Sequence, residues 1–170
     1  MKRILHAGCG NTPLPEWLDG AEVRLDINSR CKPDIVAGLT DMGPIGGFDA
    51  VYCCHVLEHL FPRDIPIALG ECLRVLKPGG AIIIRVPDLE DVKPTEEVIY
   101  RSPAGPVCGL DMFYGMRRLI DLSPYMAHHW GFVRTTLHRE LSDAGFERVH
   151  VKRVAHGAEL FGIGVKGSVQ

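Results

Sequence analysis

The run Gly79-Gly80-Ala81-Ile82-Ile83-Ile84-Arg85-Val86-Pro87 constrains the fold more than any other stretch of the chain. Three consecutive β-branched residues, one position past a glycine pair, predict a strand. Its apolar content is continuous rather than alternating, which belongs to a strand buried on both faces of a mainly parallel sheet. Other short runs agree. Arg3–Ala7 stops at Gly8-Cys9-Gly10, Val23–Ile27 contains Asp26, Asp34–Ala37 is brief, and Phe48–Cys54 is of the fully buried type. Then the period changes. From Asp64, a candidate N-cap, Ile65, Leu69, Cys72, Leu73 and Leu76 recur at helical spacing, and Pro78-Gly79-Gly80 is expected to stop that helix with glycine in a left-handed cap. A second helix is expected over Thr135–Ala144, ended by Gly145, followed by strands over Val149–Val154 and Leu160–Val165. Strands and helices in this order describe an α/β fold, whose ligands bind at the carboxyl ends of the strands.

The chain has 170 residues, the size of one domain spanning 1–170. Residues 88–133 lack a clean period, carry Pro94, Pro103, Pro106 and Pro124, and gather aromatic side chains. Such a long irregular segment is expected to be an insertion that acts as a lid or binding loop. With 19 basic and 21 acidic side chains, the composition argues against a general nucleic-acid or membrane-surface binder. Residues 1–100 hold 10 basic and 15 acidic groups and residues 101–170 hold 9 and 6, a mild imbalance that suits a solvated surface. No apolar stretch approaches the ~20 residues of a bilayer span. Six cysteines, with no secretory apolar core after Met1-Lys2-Arg3, read as reduced thiols in the cytoplasm.

Gly8-Cys9-Gly10 followed by Asp26 is the first constellation that carries chemistry. Glycines let a ligand approach the backbone, and a carboxylate at the end of the next strand can accept from two ribose hydroxyls. The third glycine of a dinucleotide fingerprint is replaced by Pro13, which disfavours a nicotinamide cofactor. A nucleoside without a diphosphate fits better.

These motifs, in order, resemble those of the class I S-adenosylmethionine-dependent methyltransferases. The resemblance is carried by His6-Ala7-Gly8-Cys9-Gly10, Leu25-Asp26, the stretch from Pro33-Asp34-Ile35-Val36 to Asp41-Met42, Phe48–Tyr52, His55-Val56-Leu57-Glu58-His59 and Glu71–Gly80. It covers residues 3–90 closely, and Leu141–Phe146 resembles the family's last helix and sixth strand. It implies a Rossmann-like, seven-stranded, mainly parallel sheet with helices on both faces and S-adenosylmethionine as cofactor. Gly8, Cys9 and Gly10 would pass under the cofactor's amino-acid part and Asp26 would hold the ribose. Asp41 would accept from the adenine amino group, with Met42 against the ring or donating its N–H to it. Cys54 and His55 would lie near the methyl group, and His6 and Ile27 complete the expected cofactor set. One departure is plain: residues 11–20, with Pro13 and Pro15, leave room for about one turn of the usual first helix.

The implied activity is methyl transfer to an oxygen or nitrogen of a small-molecule or glycan-type acceptor. The alternative is a cofactor-binding module without catalysis that serves as a partner or regulatory subunit. A homo-oligomer is compatible with either. A base can assist a neutral acceptor, and histidine suits neutral pH. His55, His59, His128 and His129 are the candidates, and His128 and His129 are favoured because the aromatic-rich segment should close over the strand ends. Arg117, Arg118 and Arg134 could meet an anionic acceptor, and Tyr114, Tyr125, Trp130 and Phe132 could line its pocket. The string His55-Val56-Leu57-Glu58-His59 also spells an inverted zinc-peptidase pattern. It follows directly on a strand and spacing fixes no third ligand, so no metal is expected, and Glu58 and His59 are expected to make local hydrogen bonds.

Overall fold

The computed structural model describes residues 1–154 and 158–168. Strands β1 (Arg3–Ala7), β2 (Ala21–Asp26), β3 (Ile35–Val36) and β4 (Phe48–Cys54) precede helix α1 (Ile65–Val75) and strand β5 (Leu76–Pro87). A hairpin of β6 (Val98–Ser102) and β7 (Gly105–Cys108) follows, then helices α2 (Gly109–Tyr114), α3 (Arg117–Ile120) and α4 (Arg134–Asp143), and strands β8 (Phe146–Arg153) and β9 (Glu159–Lys166). The main sheet has seven strands in the order β3-β2-β1-β4-β5-β9-β8. All neighbours from β3 to β5 pair in parallel, and β9 runs antiparallel to both β5 and β8. This is the expected α/β, mainly parallel, seven-stranded architecture. No helix is long and apolar enough to cross a membrane among the described residues.

The two faces are covered unequally. On one, Leu5, Ala7, Val51, Cys53, Ile82 and Ile84 meet Ile65, Leu69 and Cys72 of α1 and Leu137 and Leu141 of α4 in a single cluster. On the other, Ile4, Ala50, Tyr52 and Ile83 are packed by Leu14 and Leu18 from the loop after β1. The expectation of helices on both faces is therefore corrected. Both long helices lie on one side, and residues 11–20 form only turns that cover the other. Pro13 and Pro15 explain why: they remove backbone donors where a helix would need them.

A second correction concerns the end of α1. The helix stops at Val75, and Leu76 is already extended and pairs with Phe48. Gly79, at φ +76°, turns the chain inside the entry to β5, where the register with β4 shifts, rather than capping the helix. Asp64 occupies the N-cap position without a side-chain capping bond, and its carbonyl accepts from Ala68 N–H at 2.9 Å.

Register decides where chemistry can occur. Ala7 pairs with Leu25 and with Cys53, and Cys54 with Arg85, so the ends of β1, β2, β4 and β5 share one edge. Because β9 is antiparallel, its beginning comes to the same edge, with Glu159 opposite Pro87. The segment 88–133 leaves and returns there: Asp88 bridges Phe132, and Leu89 N–H donates to Phe132 O at 2.9 Å.

Candidate active site

The first half of the site grows from the turn after β1. Gly8 adopts φ +70°, and a Cβ there would stand 2.4 Å from Val56 Cγ2. Both the backbone angle and the close approach demand glycine. The N–H groups of Gly8 and Cys9 both donate to Leu25 O, at 2.8 and 3.1 Å. Gly10 has φ +49° with open space where a Cβ would point, and its N–H donates to Asp26 Oδ2 at 2.8 Å. Asn28 N–H donates to the other oxygen, Oδ1, at 2.8 Å. Asp26 is thus held by one backbone donor per oxygen and keeps acceptor capacity for a ligand. Arg24 clasps the same loop, donating to Gly10 O at 2.7 Å and Thr12 O at 2.9 Å. The Cys9 side chain is buried, and burial pushes its thiol pKa up, so the thiol is not offered to a ligand.

Next to Asp26, Ile27 leaves 53% of its surface exposed. A Cβ on Gly38 would stand 3.8 Å from Ile27 Cδ1, and Gly38 bridges Asp41. Ile27, Gly38 and Asp41 therefore form one apolar and acidic corner beside the glycine turn. The exposed Asp41 carboxylate accepts from Gly43 N–H at 3.1 Å. Two expected cofactor residues are placed elsewhere. Met42 is 1% exposed, packs in the helix-side core, and gives its N–H to Glu71 Oε2 at 2.9 Å. Neither its side chain nor its N–H is open to an adenine ring. His6 is also buried, with Nδ1 donating to Glu22 Oε1 at 2.7 Å and its ring 5.3 Å from Tyr52. Burial lowers the pKa of His6 against the opposing pull of Glu22, and the ring braces the sheet rather than facing a ligand.

The second half lies at the end of β4. His55 sits at φ +54°, a conformation that costs a non-glycine residue about 1–3 kcal/mol. Two carboxylates flank its ring: Nδ1 lies 3.1 Å from Glu58 Oε1 and Nε2 lies 3.1 Å from Glu159 Oε1. Burial would favour the neutral ring, but the hydrogen bonds from Glu159 and Glu58 outweigh it and hold the pKa well above the histidine norm. Both nitrogens are donors, so His55 is corrected from candidate base to a fixed cation. Glu159 is held down to about 2 by His55 and then Arg85, whose Nε donates to Glu159 Oε2 at 3.1 Å. Cys54 stands beside Tyr52 and Arg85 on the loop-covered face, where burial, reinforced by Cys54, raises the tyrosine pKa.

Residues of the segment 88–133 complete this half. His129 and Trp130 N–H both donate to Glu58 O, at 2.7 and 3.2 Å, and His128 N–H donates to Tyr114 O at 3.1 Å. The His59 and His128 rings meet edge-on at 5.0 Å. His59 Nδ1 lies 3.0 Å from Ala127 O and His128 Nδ1 2.9 Å from Met112 O. Burial lowers the pKa of His128. His129 is directed away, exposed and stacked on Phe61 at 4.2 Å, which removes it as a candidate base. The expected aromatic lining also changes. Phe132 belongs to the helix-side core, whereas Tyr114, Tyr125 and Trp130 are exposed. A cleft of about 550 Å³ in the insertion is lined by Leu110, Asp111, Tyr114, Gly115 and Arg117 among others. A Cβ on Gly115 would stand 3.4 Å from His128 Cδ2, so this cleft borders the histidine pair. Arg118 is spent on Ala104 O, and Arg134 opens α4 at the surface.

Among the site residues, His59 is one of the candidate bases of the sequence and Glu58 is expected there only in local hydrogen bonds, their nearness to the strand end being the available signal. Glu159 had none, because only the antiparallel pairing of β9 brings it to the edge.

Residues 5–84 match the family model described as methyltransferase domain. The Aspergillus luteorubrus protein named "Probable methyltransferase ltbC" is 49% identical over 43 residues, which is 25% of this chain and 15% of that protein. Human N-acetylserotonin methyltransferase, solved in complex with SAM, superposes with a TM-score of 0.67 at 16% identity over 98% of this chain and 48% of its own. An S-adenosylmethionine-dependent methyltransferase from Mesorhizobium loti gives 0.68 at 17% identity over 96% of this chain and 90% of its own. The chain thus spans about half the length of the human enzyme and a small part of the fungal protein. By sequence over residues 5–84 and by fold over nearly its whole length, the protein is a chain of the class I S-adenosylmethionine-dependent methyltransferase fold.

Proposed function

We propose that this chain is an S-adenosylmethionine-dependent methyltransferase acting on an oxygen or nitrogen of a small-molecule acceptor, glycan-type molecules included. The observation that carries the reading is the adjacency of two prepared half-sites on one sheet edge. A glycine turn is tied to Asp26 on β1 and β2, and a polar cluster roofed by the insertion stands on β4, the strand next to β1. The residues present fit the cofactor. Gly10 leaves open space where a ligand can approach the turn, Asp26 retains acceptor capacity for ribose hydroxyls, and Ile27 offers an uncovered apolar side chain beside the Asp41 carboxylate. When bound, S-adenosylmethionine supplies a methyl group already activated on a sulfonium, so the protein's task is to position and to shape charge.

The chain's own residues divide that task. Asp26 binds the ribose, Asp41 and Ile27 hold the base, and the turn at Gly8, Cys9 and Gly10 accommodates the amino-acid end. Cys54 lines the passage between the halves. His55, fixed by Glu58 and Glu159, sets the edge of the acceptor side. His128, with His59 beside it, meets the acceptor's heteroatom. Residues 88–133 act as the lid of a single domain, and the cleft against Gly115 is the acceptor's entry. The human neighbour named for N-acetylserotonin supports an acceptor of small size. Six unpaired cysteines support a reducing cytoplasm as the place of action.

Calorimetric titration with S-adenosylhomocysteine tests the reading. The wild type binds one equivalent, and Asp26→Ala weakens binding by about 1–3 kcal/mol as ribose hydroxyls lose a charged acceptor. No heat in the wild type, or unchanged affinity in the variant, overturns it.

A further inference from the structure

We propose that Glu58, His59 and His128 form a divalent metal site whose ion receives a hydroxyl-bearing acceptor. The inference rests on the methyltransferase reading for the acceptor and on geometry alone for the metal. One ligand-capable atom of each residue lies within 4.8 Å of those of the other two. Ligands about 2.1 Å from a common ion stand roughly 3–4 Å apart, so closure asks for side-chain shifts of under about an ångström.

The protonation pattern suits an ion. A backbone carbonyl only accepts, so the contacts to Ala127 O and Met112 O place the hydrogen of each ring on Nδ1. Each ring then presents a bare Nε2. A metal-binding histidine has the same arrangement, its far nitrogen donating to a carbonyl that fixes tautomer and orientation. Glu58 is 1% exposed; its Oε1 is bound to His55, and its Oε2 finds no hydrogen-bond partner among the described residues. A buried carboxylate oxygen left unpaired is costly, and a cation at this point would satisfy it.

The ligands come from two separate segments, the turn Leu57–His59 and the returning insertion, which are already clipped together by His129 and Trp130 N–H on Glu58 O. Two nitrogens and one oxygen favour a first-row transition ion over magnesium or calcium, which prefer oxygen alone. Three protein ligands leave positions open. A hydroxyl bound there becomes more acidic and is held on the strand edge that adjoins the cofactor turn. His59 and His128 thus meet the acceptor through the ion.

The test is a titration of chelator-treated protein with Co²⁺, followed by visible absorption and by melting temperature. One equivalent is expected to bind, with d–d bands of mixed nitrogen and oxygen ligation and a rise in melting temperature. His128→Ala and His59→Ala are each expected to weaken binding at least tenfold and to abolish the rise. Glu58→Gln should do the same, but its burial puts folding at risk, so the half-buried His128 variant carries the decision. Absence of stoichiometric Co²⁺ binding, or binding that His128→Ala leaves intact, overturns the site. S-adenosylhomocysteine titrations on the same samples separate the two readings. Asp26→Ala should lose nucleoside affinity and keep Co²⁺, and His128→Ala the reverse. Co²⁺ binding without nucleoside binding would sink the methyltransferase reading and leave the metal site standing.

Discussion

The two halves of the site are built in opposite ways. The half proposed for the cofactor is local: Gly8 to Gly10 and Asp26 lie within 19 residues, and its contacts are made largely by backbone groups between adjacent strands. The half proposed for the acceptor is assembled from afar, with His55, Glu58, His128 and Glu159 drawn from three distant parts of the chain and joined by ionisable side chains as well as by the backbone bonds to Glu58 O. A half made of backbone is sensitive to shape, and a half made of paired ionisable groups is sensitive to charge.

The sharpest way to break this contrast is Gly8→Val. The added side chain meets Val56 and must adopt a positive φ, so the turn cannot keep its geometry. Nucleoside binding is expected to fall below detection by calorimetry, with a melting temperature several degrees lower. Retention of both would mean that the cofactor half does not depend on backbone shape. Glu159→Gln probes the other half. It removes the negative charge between His55 and Arg85 and is expected to cost about 1–3 kcal/mol in denaturant unfolding while changing S-adenosylhomocysteine affinity by less than about threefold. An equal loss in nucleoside affinity would erase the distinction between the halves.

The smallest effect belongs to Glu71, which supports the Asp41–Met42 turn. Its hydrogen bond to Arg74, with the Met42 N–H, lowers its pKa to about 2. A carboxylate lowered on folding contributes stability above its ordinary pKa, and that contribution is lost as pH falls through the folded value. Glu71→Gln should therefore flatten the decline of melting temperature between about pH 5 and pH 2. Arg74 is half-exposed and salt will screen the pair, so the change should be modest and should shrink in high salt. An unaltered acid limb would exclude Glu71 as a titrating support.

The same contrast explains what was legible beforehand. β4 emerged residue for residue because Phe48–Cys54 is apolar apart from Asp49 at its entry and ends at a polar turn. The glycine turn and Asp26 were readable because neighbours in sequence are neighbours in space. The end of α1 was misplaced since Gly79 advertises a helix stop but serves a bend in the following strand. The hairpin of β6 and β7 went unseen because Pro103 and Pro106 masked a strand pair whose outer residues, Val98 and Ile99, face solvent. Met42 and His6 were assigned to the ligand by their place in a motif, whereas core packing and Glu71 or Glu22 claimed them. Glu159 is the clearest gap: no local pattern marks a residue whose role comes from pairing with a strand more than seventy positions earlier.

That pairing has a consequence for the order of assembly. β8 is made before β9, yet β9 lies between β8 and β5 in the finished sheet. β8 pairs only with β9, so it joins the sheet no earlier than β9 does, and Glu159 reaches His55 with that same strand. The turn proposed for the nucleoside draws on residues made early, and Glu58 stands by His55 from the start, whereas the second counter-charge of His55, Glu159, arrives only with β9.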